Sequence, residues 1–140
     1  MTAKEYLSQY RRAINEIESK RNEIEQLEAL AEYVSPRGER GGSGYASDKV
    51  GALAAKLADE KDRLQQDVIA LLEVRAEIKS RIEQIDNDRY RLVLTERYIN
   101  CKQWENISAD AHYSLRAVLY IHRDALAAFA GKFPIVEALR

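Results

Sequence analysis

Apolar residues recur every three or four positions through the first 34 residues, which is the spacing of one face of an α-helix. Thr2 and Glu5 have the spacing of a capping box, so the helix is expected to begin there. Arg21 interrupts the apolar stripe near its middle. The pattern predicts a long amphipathic helix ending near Val34, whose stripe is formed by Leu7, Tyr10, Ile14, Ile17, Ile24, Leu27, Ala31 and Val34.

Residues 35–47 break this pattern, because they contain four of the six glycines and one of the two prolines. A flexible loop is predicted there. A second helix is predicted from Asp48 to Ile85, roughly 55 Å long at about 1.5 Å per residue. In it an apolar residue stands at every seventh position: Val50, Leu57, Leu64, Leu71, Ile78 and Ile85.

This heptad seam is too narrow to be buried within one helix, so the second helix must pair with another. The first helix can fold back antiparallel against it through the glycine-rich loop, and intermolecular pairing is the competing solution. The first helix offers a shorter matching stripe, made by Tyr10, Ile14 and Ile17. Part of the seam is therefore expected to remain for a second subunit, which predicts a homo-oligomer, a dimer in the simplest case, formed through the helical hairpin.

The segment Asp86-Asn87-Asp88 ends the heptads and can cap a third helix from Arg89 to Ile99. Its predicted apolar surface comprises Leu92, Val93, Tyr98 and Ile99.

Two short helices joined by a tight turn are indicated next. His112 occupies the turn position that usually needs a positive φ, and Ser114 is a good N-cap for the second helix. Ser108 is small enough to let the two helices approach. The apolar or small residues expected to pack between them are Ile107, Ala111, Tyr113, Val118, Ile121 and Ala125, with Trp104 on the same inner face.

This part of the chain resembles region 4 of bacterial sigma factors. The matching segments are Arg97-Tyr98, Trp104-Glu105-Asn106-Ile107-Ser108, Ser114 and His122-Arg123-Asp124-Ala125-Leu126. Over nearly all 140 residues the chain is similar to small phage and prophage proteins, related to ArpU-type transcriptional regulators, that place a long helical hairpin before such a motif. The resemblance implies an all-α fold with a hairpin over residues 1–85, a helix-turn-helix domain over 86–133 and a tail over 134–140.

The function that the resemblance implies is transcriptional regulation through duplex DNA, together with RNA polymerase. Arg116, Tyr120 and Arg123 follow i, i+4, i+7 spacing opposite the apolar face of the second helix. With Ser114 and Lys102 they form the predicted DNA-binding set. The sequence departs from the sigma pattern at Glu96, where an apolar residue is usual, at Gln103, which replaces a serine cap, and at Leu115, Leu119 and Tyr120, in a helix that is usually richer in Arg and Lys.

Two alternatives remain beside the regulator. In one, the fold is kept for packing and the chain is a protein-interaction or scaffold module, with Leu115 and Leu119 as its contact patch. In the other, the chain is a packaging adaptor of small-terminase type, although such proteins usually place the DNA-binding part first.

Charge, hydropathy and the spacing of His and Cys limit the functions that the chain is expected to have. The formal net charge is −1, and residues 86–140 carry eight basic and seven acidic side chains, so affinity for bare phosphate backbone is expected to be weak. Without an apolar stretch that could span a membrane or act as a signal peptide, a cytoplasmic protein that does not bind membranes is expected. His112, His122 and the single cysteine Cys101 lack the close spacing of zinc ligands, so we expect no metal, no cofactor and no catalysis.

Overall fold

The computed structural model describes residues 1–34, 44–134 and 136. Helices account for the regular structure in these ranges, and no strand occurs there. The predicted all-α fold class is therefore confirmed. Within the same ranges, no helix is both long and apolar enough to cross a membrane.

The helices are joined by short connections wherever these connections are described. Their bounds, in chain order, are α1 Ala3–Leu7, α2 Gln9–Val34, α3 Gly44–Glu83, α4 Asp88–Leu94, a π-helical turn Thr95–Ile99, α5 Trp104–Ala111 and α6 Leu115–Lys132.

The first helix begins at the predicted capping box. The hydroxyl of Thr2 accepts a hydrogen bond from the Glu5 N–H at 3.1 Å, and the Glu5 carboxylate accepts one from the Thr2 N–H at 2.9 Å. Ser8 separates α1 from α2 but keeps a right-handed helical backbone, with φ −77° and ψ −7°. The Ser8 N–H donates to the Lys4 carbonyl and its own carbonyl accepts from Arg12, so the chain direction continues with little change.

The third helix begins at Gly44, four residues before the predicted start at Asp48. The predicted loop over 35–47 was therefore too long at its C-terminal end, and the rest of it, residues 35–43, lies outside the described residues. The helix ends at Glu83, two residues before its predicted end at Ile85.

The helix predicted from Arg89 to Ile99 is divided between α4 and the π-helical turn. Asn87 caps α4, as the sequence predicted for its segment, because its side-chain oxygen accepts hydrogen bonds from the N–H groups of Arg89 and Tyr90 at 2.9 and 3.2 Å. The widened turn that follows buries Tyr98 and Ile99 together. A π turn shifts the residues after it around the helix axis, and the apolar pattern alone did not indicate it.

The chain divides into two compact units. The first contains Met1–Ile14 and the described part of Leu71–Arg140, and the second contains Asn15–Ala70. This division differs from the predicted boundary at residues 85 and 86, because α1 and the end of α3 share a core with α6. The buried members of this core are Ala3, Tyr6, Leu7, Ile78, Ile82, Ile85, Leu94, Tyr98, Ile99, Ala125, Phe129 and Val136.

A smaller cluster in the first unit holds α5 against α4 and α6. It consists of the buried residues Val93, Ile107 and Val118, with Trp104, Tyr113 and Ile121 packed against it. Two sequence predictions need correction here. Leu92, expected to face the core, is exposed, and Ala125 belongs to the larger cluster.

In the second unit, α2 and α3 are connected by ion pairs between exposed side chains. Lys20 contacts Asp67 at 2.7 Å, and Glu28 contacts Lys61 at 3.0 Å. Lys20 precedes Glu28 on α2, whereas its partner Asp67 follows Lys61 on α3. The two helices therefore run antiparallel within this unit. Exposed pairs of this kind contribute little to stability.

The position of Leu7 provides a test of the first unit. Leu7 is fully buried among residues that follow it by more than 70 positions, so Leu7→Ala should lower the free energy of unfolding by about 2 to 5 kcal/mol. Urea denaturation followed by Trp104 fluorescence measures this change. Leu72→Ala, at a leucine that is 58% exposed, is the matched control and should cost under about 0.5 kcal/mol. Equal effects of the two variants would contradict the shared core.

Candidate nucleic-acid interface

The turn between α5 and α6 has a fixed backbone geometry. His112 lies in the left-handed region with φ 60° and ψ 34°, which confirms the positive φ expected at this position. The Tyr113 N–H donates to the Ser108 carbonyl at 3.2 Å, and the Ser108 hydroxyl donates to the Tyr113 carbonyl at 2.6 Å. Ser108 thus makes two hydrogen bonds that close the turn. From the sequence it was expected only to be small enough to let the two helices approach.

Ser114 begins α6 as an N-cap. Its hydroxyl oxygen accepts a hydrogen bond from the Ala117 N–H at 3.1 Å, as predicted for this position. This bond satisfies one of the N–H groups that a helix start otherwise leaves unpaired. Together with the His112 turn, it defines where α6 begins.

The inner face of α6 consists of Val118, His122, Ala125 and Phe129, all buried. Their spacing of three and four residues leaves the opposite side of the helix to solvent. Tyr120 stays 45% exposed on that side, and Leu115 and Leu119, at the edge of the buried face, stay 40% and 43% exposed.

Three of the predicted DNA-binding residues form one cluster on this exposed face. The guanidinium carbons of Arg116 and Arg123 lie 5.6 and 5.0 Å from the centre of the Tyr120 ring. Arg116 also donates a hydrogen bond to the Tyr120 hydroxyl at 3.3 Å. The three residues, with Leu115 and Leu119, line an open groove of about 420 Å³, which we call the α6 groove. Tyr120 thereby holds both arginines along the helix.

Lys102, the remaining predicted contact, belongs to a different set of interactions. Its ammonium forms ion pairs with Glu96 and with Asp110, the latter at 3.0 Å. Hydrogen bonds to Glu96 and Asp110 raise the pKa of Lys102. Its charge is thus balanced by two carboxylates, and Lys102 does not line the α6 groove. Glu96, a departure from the sigma pattern, is one of these partners.

A buried polar pair lies on the inner side of α6; Tyr98 was predicted to pack in the core and His122 to match the sigma pattern, but no bond between them was predicted. Tyr98 Oη and His122 Nε2 share a hydrogen bond of 2.6 Å. The Trp104 ring meets the His122 ring edge-on at 4.5 Å, and the guanidinium carbon of Arg97 lies 4.3 Å from the Trp104 ring centre. Trp104 is half-buried against the small cluster, on the inner face that was predicted for it. The sequence signal that could have identified His122 as buried is its spacing, four residues after Val118 and three before Ala125.

Burial controls the protonation of this pair. Desolvation, with smaller contributions from the positive charges of Lys4 and Arg97, lowers the pKa of His122 to about 4. Desolvation also raises the pKa of Tyr98 to about 12. Both side chains are therefore neutral near pH 7, which is the state that a buried hydrogen-bonded pair favours.

Cys101 also has a left-handed backbone, with φ 56°, and its thiol is half-buried. Burial raises the pKa of this thiol, which keeps it protonated and weakly nucleophilic. Among the described residues, no group of three or more His, Cys, Asp and Glu side chains is arranged to hold a metal ion.

Comparisons of the chain with protein-family models, with curated proteins and with solved structures found no match.

The lowered pKa of His122 predicts a pH dependence of stability. The unfolded chain takes up a proton near pH 6.5, whereas the folded chain does so only near pH 4. The free energy of unfolding should therefore fall as the pH drops through this interval, by up to about 3 kcal/mol from His122 alone. Urea denaturation at pH 7, 6, 5 and 4 measures this dependence.

Other groups also titrate in this interval, so the comparison between variants isolates His122. His122→Gln cannot take up the proton, and its stability should fall less steeply between pH 6.5 and 4. The matched control is His112→Asn at the exposed histidine, because Asn tolerates the left-handed backbone. If His122→Gln keeps the pH slope of the unchanged protein, the neutral buried histidine is the wrong explanation.

Proposed function

We propose that this chain is a DNA-binding transcriptional regulator of phage type, whose α5, turn and α6 act as a helix-turn-helix on duplex DNA. The observation that carries the proposal is the row of Arg116, Tyr120 and Arg123 along the exposed face of α6. The resemblance of the sequence to sigma factor region 4 supports the same function and adds RNA polymerase as a partner.

The proposed contacts follow from helix geometry. Positions i, i+4 and i+7 face one side of a helix, and the major groove of B-DNA admits a helix. Arg116 and Arg123 would each bond the O6 and N7 atoms of a guanine, which is the commonest specific contact in the major groove. The Tyr120 hydroxyl would contact a phosphate, and Ser114 would lie nearest the backbone at the start of α6.

Electrostatics limits how the protein would bind. The chain has a net charge of −1, and the Lys102 charge is balanced by Glu96 and Asp110. Arg123 likewise donates to Asp124 at 3.3 Å. Little attraction to phosphate is left, so non-specific affinity is expected to be low. Tight binding would then depend on base contacts, on two copies of α6, or on RNA polymerase.

The arginines of α6 provide the test. Duplex selection from a random pool, with and without RNA polymerase, identifies the preferred site, and fluorescence anisotropy then measures affinity. Arg116→Ala and Arg123→Ala should each weaken binding to that site by about 1 to 3 kcal/mol while changing non-specific binding much less. Arg63→Ala, which removes the same charge from a side chain 74% exposed on α3, is the matched control and should leave the affinity unchanged.

A second function is favoured by a separate observation, the exposure of Leu115 and Leu119 at 40% and 43%. A protein-interaction module would use these leucines as its contact patch. In that case no duplex would be enriched from the pool, and Leu119→Glu would break a complex with RNA polymerase. This pair of results would contradict the regulator and leave the interaction module.

We further propose that the protein self-associates through α2 and α3 of the second unit. In the described part of this unit, Ile24 is the only buried apolar side chain. Leu30 and Ile69 are 59% and 53% exposed, and Val68 is 37% exposed. The two helices therefore retain apolar surface that a second chain could cover.

Sedimentation equilibrium at micromolar concentration should show a species of twice the 16.0 kDa chain mass. Ile69→Lys should shift this species toward monomer without loss of helicity, because it places a charge in the apolar surface. Ala54→Lys, at an exposed position on the same helix, is the control and should keep the dimer. A monomer at all concentrations would contradict self-association.

A further inference from the structure

The α6 groove contains an apolar strip, made by Leu115 and Leu119, beside its two arginines. Leu115 and Leu119 are one helical turn apart, both are exposed, and both line the groove with Arg116, Tyr120 and Arg123. Neither belongs to a buried cluster of the fold, and both lie beside the arginines that are proposed to bind DNA. The guanine contacts proposed for the arginines leave this apolar strip unexplained.

The surroundings of the strip indicate the chemistry of its occupant. The guanidinium groups of Arg116 and Arg123 lie beside it, and the one carboxylate bonded to them, Asp124 on Arg123, does not line the groove. A matching ligand is therefore an anion that also offers an apolar group to the leucines. In the major groove of DNA, only thymine presents such a group, its C5-methyl.

The dimensions agree with this ligand. Residues 115–123 extend about 12 Å along α6 at about 1.5 Å per residue, which is close to the rise of three to four base pairs. The side chains of Leu115 and Leu119 project from the first half of this length. Two thymine methyls within one short segment of the major groove can thus lie against them while the arginines reach neighbouring bases.

We infer that Leu115 and Leu119 determine sequence specificity by contacting thymine methyl groups, an inference that rests on the proposed binding of duplex DNA by α6. The protein then reads a site in which thymines lie next to the guanines contacted by Arg116 and Arg123. The leucines, which depart from the basic helices of sigma factors, act here as readers of bases.

The test removes methyl groups from the DNA. In the duplex enriched from the random pool, each thymine is replaced in turn by deoxyuridine, which pairs identically but lacks the C5-methyl. Loss of a contacted methyl should weaken binding about fourfold, the effect of burying one CH₂ group. In the Leu119→Ala variant, replacing one particular thymine by deoxyuridine should no longer weaken binding. In the Leu115→Ala variant, the same should hold for a neighbouring thymine.

Leu72→Ala, at an exposed leucine on α3, is the matched control and should retain every fourfold loss. Circular dichroism checks that each variant keeps its helices. Equal affinity for the thymine and deoxyuridine duplexes overturns the inference but leaves the proposed function standing. A leucine variant that weakens both duplexes by the same factor overturns it as well. If no duplex is enriched, the proposed function and the inference fail together, as they would if α6 bound an acidic protein surface.

Discussion

The buried hydrogen bond between Tyr98 and His122 is the constraint on which the exposed face of α6 depends. It joins the π-helical turn to α6 at 2.6 Å, in a region from which water is largely excluded. A buried polar group without a partner would be costly, so α6 cannot rotate without losing this bond. Val118 and Ala125 are buried on the same side, and the arginines are thereby directed to solvent.

The basic side chains of the described residues mostly have a partner within the protein. Most of its arginines and lysines with described interactions contact carboxylates or aromatic rings, as Arg97 stacks on Trp104 and Lys102 pairs with Glu96. Such residues stabilise local geometry and leave a weak field outside the protein. A nucleic-acid binder built in this way would gain selectivity from directional contacts, because its attraction to every phosphate backbone is small.

Local sequence signals predicted local structure well. The capping box at Thr2, the left-handed turn at His112 and the cap at Ser114 each depend on a few neighbouring residues, and each occurs in the structure. Contacts between distant residues were not predictable, because nothing near Leu7 indicates that it packs with Ile78 and Phe129. For the same reason the sequence alone placed the boundary between units after α3.

The candidate site shows the same contrast. The spacing of Arg116, Tyr120 and Arg123 predicted that they share a face, whereas the ion pairs of Lys102 required the fold to bring Glu96 and Asp110 together.

The arrangement around Tyr120 affects the cost of binding. A free arginine loses side-chain entropy when a ligand fixes it, whereas Arg116 and Arg123 are already drawn toward one ring. Cation–π contacts at an exposed site contribute about 0.5 to 1 kcal/mol, enough to bias the rotamers but weak enough for a guanine to displace. Such a surface combines partial order with freedom to adjust, which would suit the proposed function of choosing among many DNA sequences with little help from net charge.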